Sequence, residues 1–228
     1  MGALAAVVLD MGGVLIPEIR DFDGAARQPD LCRELGALGI SEPEAFIQEA
    51  GTRLRGAYRA LEPERTQPDP EVLFAELDPE ARRLLLAGFA REETKPVFPY
   101  ARDVVRELAR DYRLGIASNT IVPGDHHARA LREQGILEFI DAPVWSANFG
   151  SRKPAPAIIE HVLEKLGVAP RNAIFVGDKI RTDVAGAHNA GVRAVWLRRP
   201  GGIDSDEATP DFVIDHLREL PALLQTLA

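Results

Sequence analysis

The chain has 228 residues, of which 46% are hydrophobic and 27% charged, a composition typical of a soluble globular protein. Its formal net charge of −8 disfavours a general affinity for nucleic acid or for an anionic membrane surface. The single cysteine, Cys32, excludes an internal disulfide and favours a reducing cytoplasm as the location. No apolar run approaches the roughly 18 residues that a membrane-spanning helix needs, so we expect no membrane partner.

Three short apolar runs each end abruptly in a polar residue that can take part in chemistry. Such runs, flanked by helical patterns, indicate strands of a parallel sheet that is buried on both faces. Ligands bind to such sheets in the crevice outside the carboxyl ends of the strands. We therefore expect the polar residues to meet at one site. The runs and the residues that follow them are 7–9 with Asp10, 114–117 with Ser118 and Asn119, and 174–177 with Asp178.

The sequence between the first two runs has a different character. Strand-like runs disappear between roughly Pro17 and Pro99, and helix signals replace them. Asp69-Pro70 and Asp78-Pro79 each place an aspartate suited to the N-cap before a proline suited to the first helical turn. This stretch is predicted to be a helical insertion in an α/β domain.

Alternating strand and helix patterns resume after the insertion. Strands that alternate with helices favour a doubly wound parallel sheet, so the predicted fold class is α/β. We predict a core domain formed by residues 1–17 and 96–228 and a second, helical domain formed by residues 18–95. The further strands are predicted near 142–145, 195–197 and 212–214, and helices are predicted over 101–110 and 158–166.

The first strand leads into Asp10, and a pair of glycines follows it closely. Gly12 and Gly13 let the backbone turn sharply and approach a ligand. A carboxylate held at such a turn can act as a nucleophile toward phosphorus or as a ligand for a hard cation. Asp10 is therefore the first candidate for a functional residue.

Residues at the other strand ends complement this carboxylate. Asp178 and Asp183, with backbone carbonyls and water, would suit Mg²⁺, which prefers oxygen ligands. Ser118 and Asn119 precede a predicted helix and offer hydroxyl, amide and backbone donors to an anion. Lys153, in a loop before a helix, supplies the positive charge that clustered acids and a phosphate require.

Four motifs in this order resemble those of the haloacid dehalogenase superfamily, in the branch with a helical cap after the first motif. They are Asp-x-x-Gly-Val, Ser-Asn, Lys-Pro and Gly-Asp-x-x-x-x-Asp, and they begin at Asp10, Ser118, Lys153 and Gly177. The resemblance covers almost the whole chain. It implies a Rossmann-like core, and it implies that residues 18–95 are a cap that closes over the site and selects the substrate.

The resemblance also implies a role for each motif residue. Asp10 would be the nucleophile that forms an aspartyl-phosphate, and Lys153 would balance its charge. The predicted substrate ligands are Ser118, Asn119 and Lys153. The predicted Mg²⁺ ligands are Asp10, the carbonyl of Gly12 and Asp178, with Asp183 supporting the metal site from nearby.

One position departs from the family pattern. Phosphatases of this family usually carry a second aspartate two residues after the nucleophile, which acts as general acid and base, and here that residue is Gly12. Three explanations stay open at this point. Another acid replaces it, the nearest in sequence being Glu18, Asp21 and Asp23; or the substrates have good leaving groups; or the protein has lost turnover and kept only binding.

The leading hypothesis is a Mg²⁺-dependent phosphatase that acts on a small phosphorylated metabolite. A metal-independent 2-haloacid dehalogenase gains from the missing aspartate, but the resemblance implies a tyrosine at position 12 for that class. The third hypothesis is a non-catalytic protein that binds phosphometabolites. No lysine precedes Lys95, which disfavours phosphonate hydrolysis through a Schiff base in the cap. The oligomeric state is expected to be monomer or homodimer.

Overall fold

The computed structural model describes residues 3–18, 22, 24–60, 66–199 and 208–227. Asp21 and Asp23, two of the acids considered above, lie outside these residues. The strands are β1 (Ala6–Leu9), β2 (Arg113–Ser118), β3 (Ala142–Trp145), β4 (Ala173–Gly177), β5 (Arg193–Leu197) and β6 (Phe212–Ile214). The helices are α1 (Pro29–Ala37), α2 (Pro43–Ala60), α3 (Pro70–Leu73), α4 (Pro79–Glu93), α5 (Ala101–Leu108), α6 (Gly124–Glu133), α7 (Ser146–Phe149), α8 (Ala157–Leu166), α9 (Ala185–Asn189) and α10 (Leu220–Gln225).

All six strands form one parallel sheet in the order β3-β2-β1-β4-β5-β6. The chain starts in the middle of the sheet, builds outward to β3, and then returns to the other side of β1 to build outward again. This is the predicted doubly wound α/β fold. Its switch point lies between β1 and β4, where a crevice opens at the carboxyl ends of the strands.

Helices cover both faces of the sheet. Successive side chains of β1 alternate between two hydrophobic clusters, with Val7 and Leu9 in one and Ala6 and Val8 in the other. All four side chains are fully buried. Burial on both faces explains why this strand is a continuous apolar run in the sequence. It also holds β1 in place, so that Asp10 lies at the carboxyl end of the strand.

Helices α1 to α4 lie between β1 and β2 in the chain and share a third hydrophobic cluster. The predicted N-caps are confirmed, since the side chains of Asp69 and Asp78 accept hydrogen bonds from the first-turn amides of α3 and α4. Val122, which follows β2, also belongs to this cluster. The helices of this insertion therefore pack onto a loop of the α/β core, whereas the domain bounds at 17/18 and 95/96 stay a prediction.

Among the described residues, no helix combines the length and the apolar character that crossing a membrane requires.

Candidate active site

The switch point of the sheet brings three carboxylates together. Asp10 follows β1 and Asp178 follows the neighbouring β4, and the Asp10 amide donates to the Val176 carbonyl at 2.8 Å. Asp183 lies in the helical turn after Asp178. Each of the three side chains is buried and offers an oxygen within 4.8 Å of the others. The predicted convergence of distant strand ends is therefore what the fold produces.

The two glycines that follow Asp10, Gly12 and Gly13, have different surroundings. Gly13 has a φ of 74°, and a Cβ atom there would overlap the carboxylate of Asp178. Its carbonyl accepts a hydrogen bond of 2.6 Å from the Arg199 guanidinium. At Gly12, by contrast, no heavy atom of the described residues lies within 4 Å of the place that a Cβ would take. Gly13 is thus required by the turn, while Gly12 leaves open space.

Lys153 is the cation of the carboxylate cluster. Its Nζ lies 2.9 Å from Asp10 Oδ1 and 2.8 Å from Asp183 Oδ1, and its side chain is 1% exposed. The side-chain amide of Asn119 fixes the Lys153 backbone, accepting from its N–H at 2.8 Å and donating to its carbonyl at 3.0 Å. Asn119 therefore has a structural task at Lys153, and its contact with a substrate stays a prediction.

Asp183 fixes the position of the backbone after β4 in addition to contributing a carboxylate to the cluster. Its Oδ2 accepts the Lys179 amide at 3.0 Å, which ties the turn after β4 to its own carboxylate. A Cβ at Gly177 would overlap the Asp183 side chain, so the strand end must be glycine for this approach. On the other side of the turn, the Trp196 indole N–H donates to the Asp178 carbonyl at 3.0 Å.

The electrostatics reflect three carboxylates gathered around a buried lysine. Burial raises the pKa of Asp10, with Lys153 opposing that rise and Asp183 adding to it. Burial and the charges of Asp183 and Asp10 raise the pKa of Asp178 to about 8. Burial by itself would lower the pKa of Lys153, but the carboxylates of Asp10 and Asp183 hold that pKa above its usual range. The cluster therefore gathers more acidic groups than Lys153 can balance, and without a further cation its burial favours a proton on Asp178.

This donor set fits a divalent cation such as Mg²⁺. Asp178 Oδ1 is buried and has no hydrogen-bond partner among the residues that the structure describes. A buried carboxylate oxygen without a partner is costly unless a cation or a proton completes it. Carboxylate oxygens are also the ligands that Mg²⁺ prefers. A cation bound here would lower the pKa values of the carboxylates, because it favours their charged forms.

A cavity of about 290 Å³ opens onto Asp10, and Gly12, Ser118 and Lys153 also line it. Ser118 is the last residue of β2 and is buried at the carboxyl end of that strand. Glu18 lines the same cavity, and its carboxylate lies 3.0 Å from Lys179 Nζ. Of the three acids considered as replacements for the missing aspartate, Glu18 is thus the one whose position at the cavity can be described.

Sequence reasoning missed the residues that join the insertion to the core. The Arg152 guanidinium stacks over the Tyr58 ring at 4.9 Å and donates to the carbonyls of Thr66 and Tyr58. Tyr58 and Glu93, both from the insertion, line the cavity beside the core residues. No local motif points to these contacts, because Arg152 and Tyr58 are 94 residues apart in the chain.

Comparison with known proteins gives the family. Residues 4–191 match the model of the haloacid dehalogenase-like hydrolase family. The chain is 36% identical over 143 residues to phosphoserine phosphatase of Thermus thermophilus and 33% identical over 128 residues to N-acylneuraminate-9-phosphatase of Rattus norvegicus. These alignments cover 62% and 54% of the chain but 57% and 50% of the two relatives, so the chain spans about half of their length.

A solved structure shares the fold over nearly the full length of both chains. It is the putative hydrolase YfnB of Bacillus subtilis bound to magnesium, with a TM-score of 0.69, 20% sequence identity and coverage of 98% of this chain and 99% of that one. The family match spans β1 to β4 and the helical insertion between β1 and β2, including every motif residue of the carboxylate cluster. The chain is a member of the haloacid dehalogenase-like hydrolase family.

Proposed function

We propose that the chain is a Mg²⁺-dependent phosphatase that hydrolyses a small phosphorylated metabolite through a phosphoaspartate on Asp10. The observation that carries this proposal is the buried bridge of Lys153 Nζ between Asp10 and Asp183, beside the partnerless oxygen of Asp178. It supplies a carboxylate nucleophile, a fixed positive charge and an oxygen-rich cation site within one small cavity. The two phosphatases in the comparisons support the same reaction class.

The reaction would proceed in two steps at the Asp10 carboxylate. An Asp10 oxygen attacks phosphorus, the bond from phosphorus to the leaving oxygen breaks, and that oxygen takes up a proton from solvent, which the attacking water of the second step gives back. Water then attacks the phosphoaspartate, inorganic phosphate leaves, and the Asp10 carboxylate is restored. Lys153 binds the phosphoryl oxygens and Ser118 donates to them, so both hold the charge that the transferred group carries.

Mg²⁺ would be held by Asp10, Asp178 and the Gly12 carbonyl, with Asp183 nearby. When bound, it polarises the phosphoryl oxygens and offsets the charge of the carboxylates. Asp183 keeps Lys153 in place through the 2.8 Å contact, and it keeps the turn after β4 in place through the Lys179 amide. The protein's contribution is therefore a rigid frame that needs little rearrangement when the substrate arrives.

The helical insertion would serve as the cap, with residues 18–95 as its extent. Four residues of that range, Glu18, Phe22, Tyr58 and Glu93, line the cavity together with Asp10. A cavity of about 290 Å³ suits a small metabolite and limits the size of the leaving group. The cap would exclude water from the phosphoryl group and select the substrate.

The decisive experiment measures phosphate release from p-nitrophenyl phosphate with and without Mg²⁺. We expect Mg²⁺-dependent turnover in the wild type and none in Asp10→Asn. Asp103→Asn is the matched control, because Asp103 is exposed on α5 and pairs only locally with Arg106. Equal turnover in the wild type and in Asp10→Asn would refute the phosphoaspartate.

Gly12 keeps the dehalogenase as a second candidate function, because attack of Asp10 on carbon needs no acid at that position. Its test is halide release from a 2-haloacid without Mg²⁺. Halide release together with no phosphatase activity would replace the proposal above. Mg²⁺-dependent binding of phosphorylated ligands without either activity would favour the non-catalytic binding protein.

A further inference from the structure

The segment that follows β2 carries Ser118 and leads into α6; we call residues 118–122 the anion loop. Two consecutive amides of this loop donate to a single carboxylate. Ile121 N lies 2.9 Å from Glu93 Oε1 and 3.0 Å from Oε2, and Val122 N lies 2.9 Å from Oε2. Both oxygens of Glu93 are thus engaged by backbone donors of the loop.

Glu93 reaches the loop from the helical insertion. It is the last residue of α4, and its side chain is only 8% exposed. Its Oε2 also lies 3.3 Å from Nε2 of His127, a residue of α6 that is 1% exposed. One carboxylate therefore joins the end of the insertion, the anion loop and the helix after it. Without that carboxylate, two backbone amides would lose their acceptor in a buried place.

A second set of contacts from the insertion fixes the same loop independently. The Thr120 carbonyl accepts from the Tyr58 hydroxyl at 2.9 Å and from Gln67 Nε2 at 2.9 Å. The Val122 side chain packs into the hydrophobic cluster of the insertion. The loop is thus held from the side of the insertion by hydrogen bonds to three consecutive residues and by apolar packing.

We infer that Glu93 is a positioning residue, through which the helical insertion sets the anion loop and with it Ser118 for the phosphoryl group. The inference rests on the proposed phosphatase site. Glu93 lines the cavity, but its oxygens are turned to the loop amides and to His127, so it acts through the loop and not on the reacting atoms. The insertion then takes part in anion binding as well as in covering the site.

The chemistry requires a carboxylate at this position. A glutamine of the same shape has one oxygen and one amide nitrogen. With the nitrogen in place of Oε1, it lies against the Ile121 amide, and the two amides must share the one remaining oxygen. With the nitrogen in place of Oε2, it lies against both amides, and only Ile121 keeps an acceptor. In either orientation a donor meets a donor. Glu93→Gln therefore disturbs the loop while it keeps the volume of the side chain.

The test compares Glu93→Gln with Glu92→Gln. Glu92 is the adjacent carboxylate of α4, which contacts Gln28 and Lys95 and not the loop. Three quantities are measured with Mg²⁺ present: amide hydrogen exchange of residues 118–122, the affinity for inorganic phosphate by calorimetry, and KM and kcat for p-nitrophenyl phosphate. For Glu93→Gln we expect faster exchange confined to the loop, a melt that stays cooperative, and about tenfold weaker phosphate binding with KM rising in step. Glu92→Gln should match the wild type.

A folded Glu93→Gln variant with wild-type loop exchange and wild-type phosphate affinity would overturn the inference. If that variant fails to fold, Glu93→Asp replaces it. Aspartate keeps both carboxylate oxygens, but its side chain is one methylene shorter, so the oxygens lie farther from the loop amides. The same changes are expected. A wild type that neither binds phosphate nor hydrolyses the aryl ester would refute the proposed function instead. Loop exchange would then decide alone whether Glu93 holds the loop.

Discussion

Replacing Gly12 with aspartate is the most informative change at this site. No heavy atom of the described residues lies within 4 Å of the place that the new Cβ would take. The φ of Gly12 is not positive, whereas Gly13 has a φ of 74°. Neither a clash nor the backbone therefore opposes Gly12→Asp, and its carboxyl group would enter the cavity that Asp10 lines.

The size of the effect follows from the chemistry that glycine cannot perform. A positioned general acid and base contributes about 10²–10⁴-fold in rate. The gain should be largest for an alkyl phosphate, whose alkoxide leaves poorly without a proton, and smaller for an aryl phosphate. We expect kcat/KM of Gly12→Asp for an alkyl phosphate to rise about a hundredfold. This is the lower end of the range, because the neighbouring residues were not selected to orient the new carboxyl group or to adjust its pKa.

The assay is phosphate release from both ester types with Mg²⁺ present. Gly12→Asn is the matched control, since it has the same size as aspartate and cannot shuttle a proton. Adding Asp10→Asn to Gly12→Asp must abolish the gain if the reaction passes through Asp10. A folded Gly12→Asp variant with unchanged turnover of both esters would refute the reasoning, because the open space at position 12 would then not face the leaving group.

Gly13→Ala should abolish Mg²⁺-dependent turnover while Gly12→Ala retains it, because only the former overlaps Asp178, and kinetics on the two variants test this. Lys153→Met should cost about 3–5 kcal/mol of unfolding free energy, measured in urea, because it leaves buried carboxylates without their cation; an equal midpoint would contradict the charge argument. Burial raises the pKa of Asp178 to about 8, so the metal-free folded state keeps a proton that the unfolded state releases above about pH 4. The stability that this proton contributes is complete below the unfolded pKa and is lost as pH rises toward about 8. Because the proton and Mg²⁺ compete for the Asp178 carboxylate, the gain in Tm on adding Mg²⁺ should be larger at about pH 8 than at about pH 5. Asp178→Asn should remove that difference.

The strands and the convergence of their ends were predictable because the signal is local. Each buried strand is an apolar run whose last residue is polar, and a parallel sheet must bring such ends to one edge. Gly135, Gly167 and Gly191 each adopt a positive φ just after a helix, a conformation that glycine accepts readily. These features depend on a few neighbouring residues, which is why a single sequence reveals them.

The contacts that shape the site were not predictable for a physical reason. Whether a buried polar side chain finds a partner depends on the packing of elements that are distant in the chain. Asn119 meets the Lys153 backbone across 34 residues, and Glu93 meets the anion loop across 28 or 29. His127 lies next to His126 in α6, and the local sequence does not indicate which of the two is buried. The packing of the insertion on the core places His127 against Glu93. No spacing rule connects such pairs.

The hydrogen bond from the Trp196 indole to the Asp178 carbonyl places a spectroscopic probe beside the carboxylate cluster. The sequence has only two tryptophans, so Trp145→Phe would leave Trp196 as the single tryptophan, which can be excited selectively over tyrosine. Indole emission responds to nearby charge and to the geometry of its N–H, both of which change when a cation meets Asp178. Titrating that variant with Mg²⁺ would read the occupancy of the site directly, without a label, a coupled enzyme or knowledge of the natural substrate.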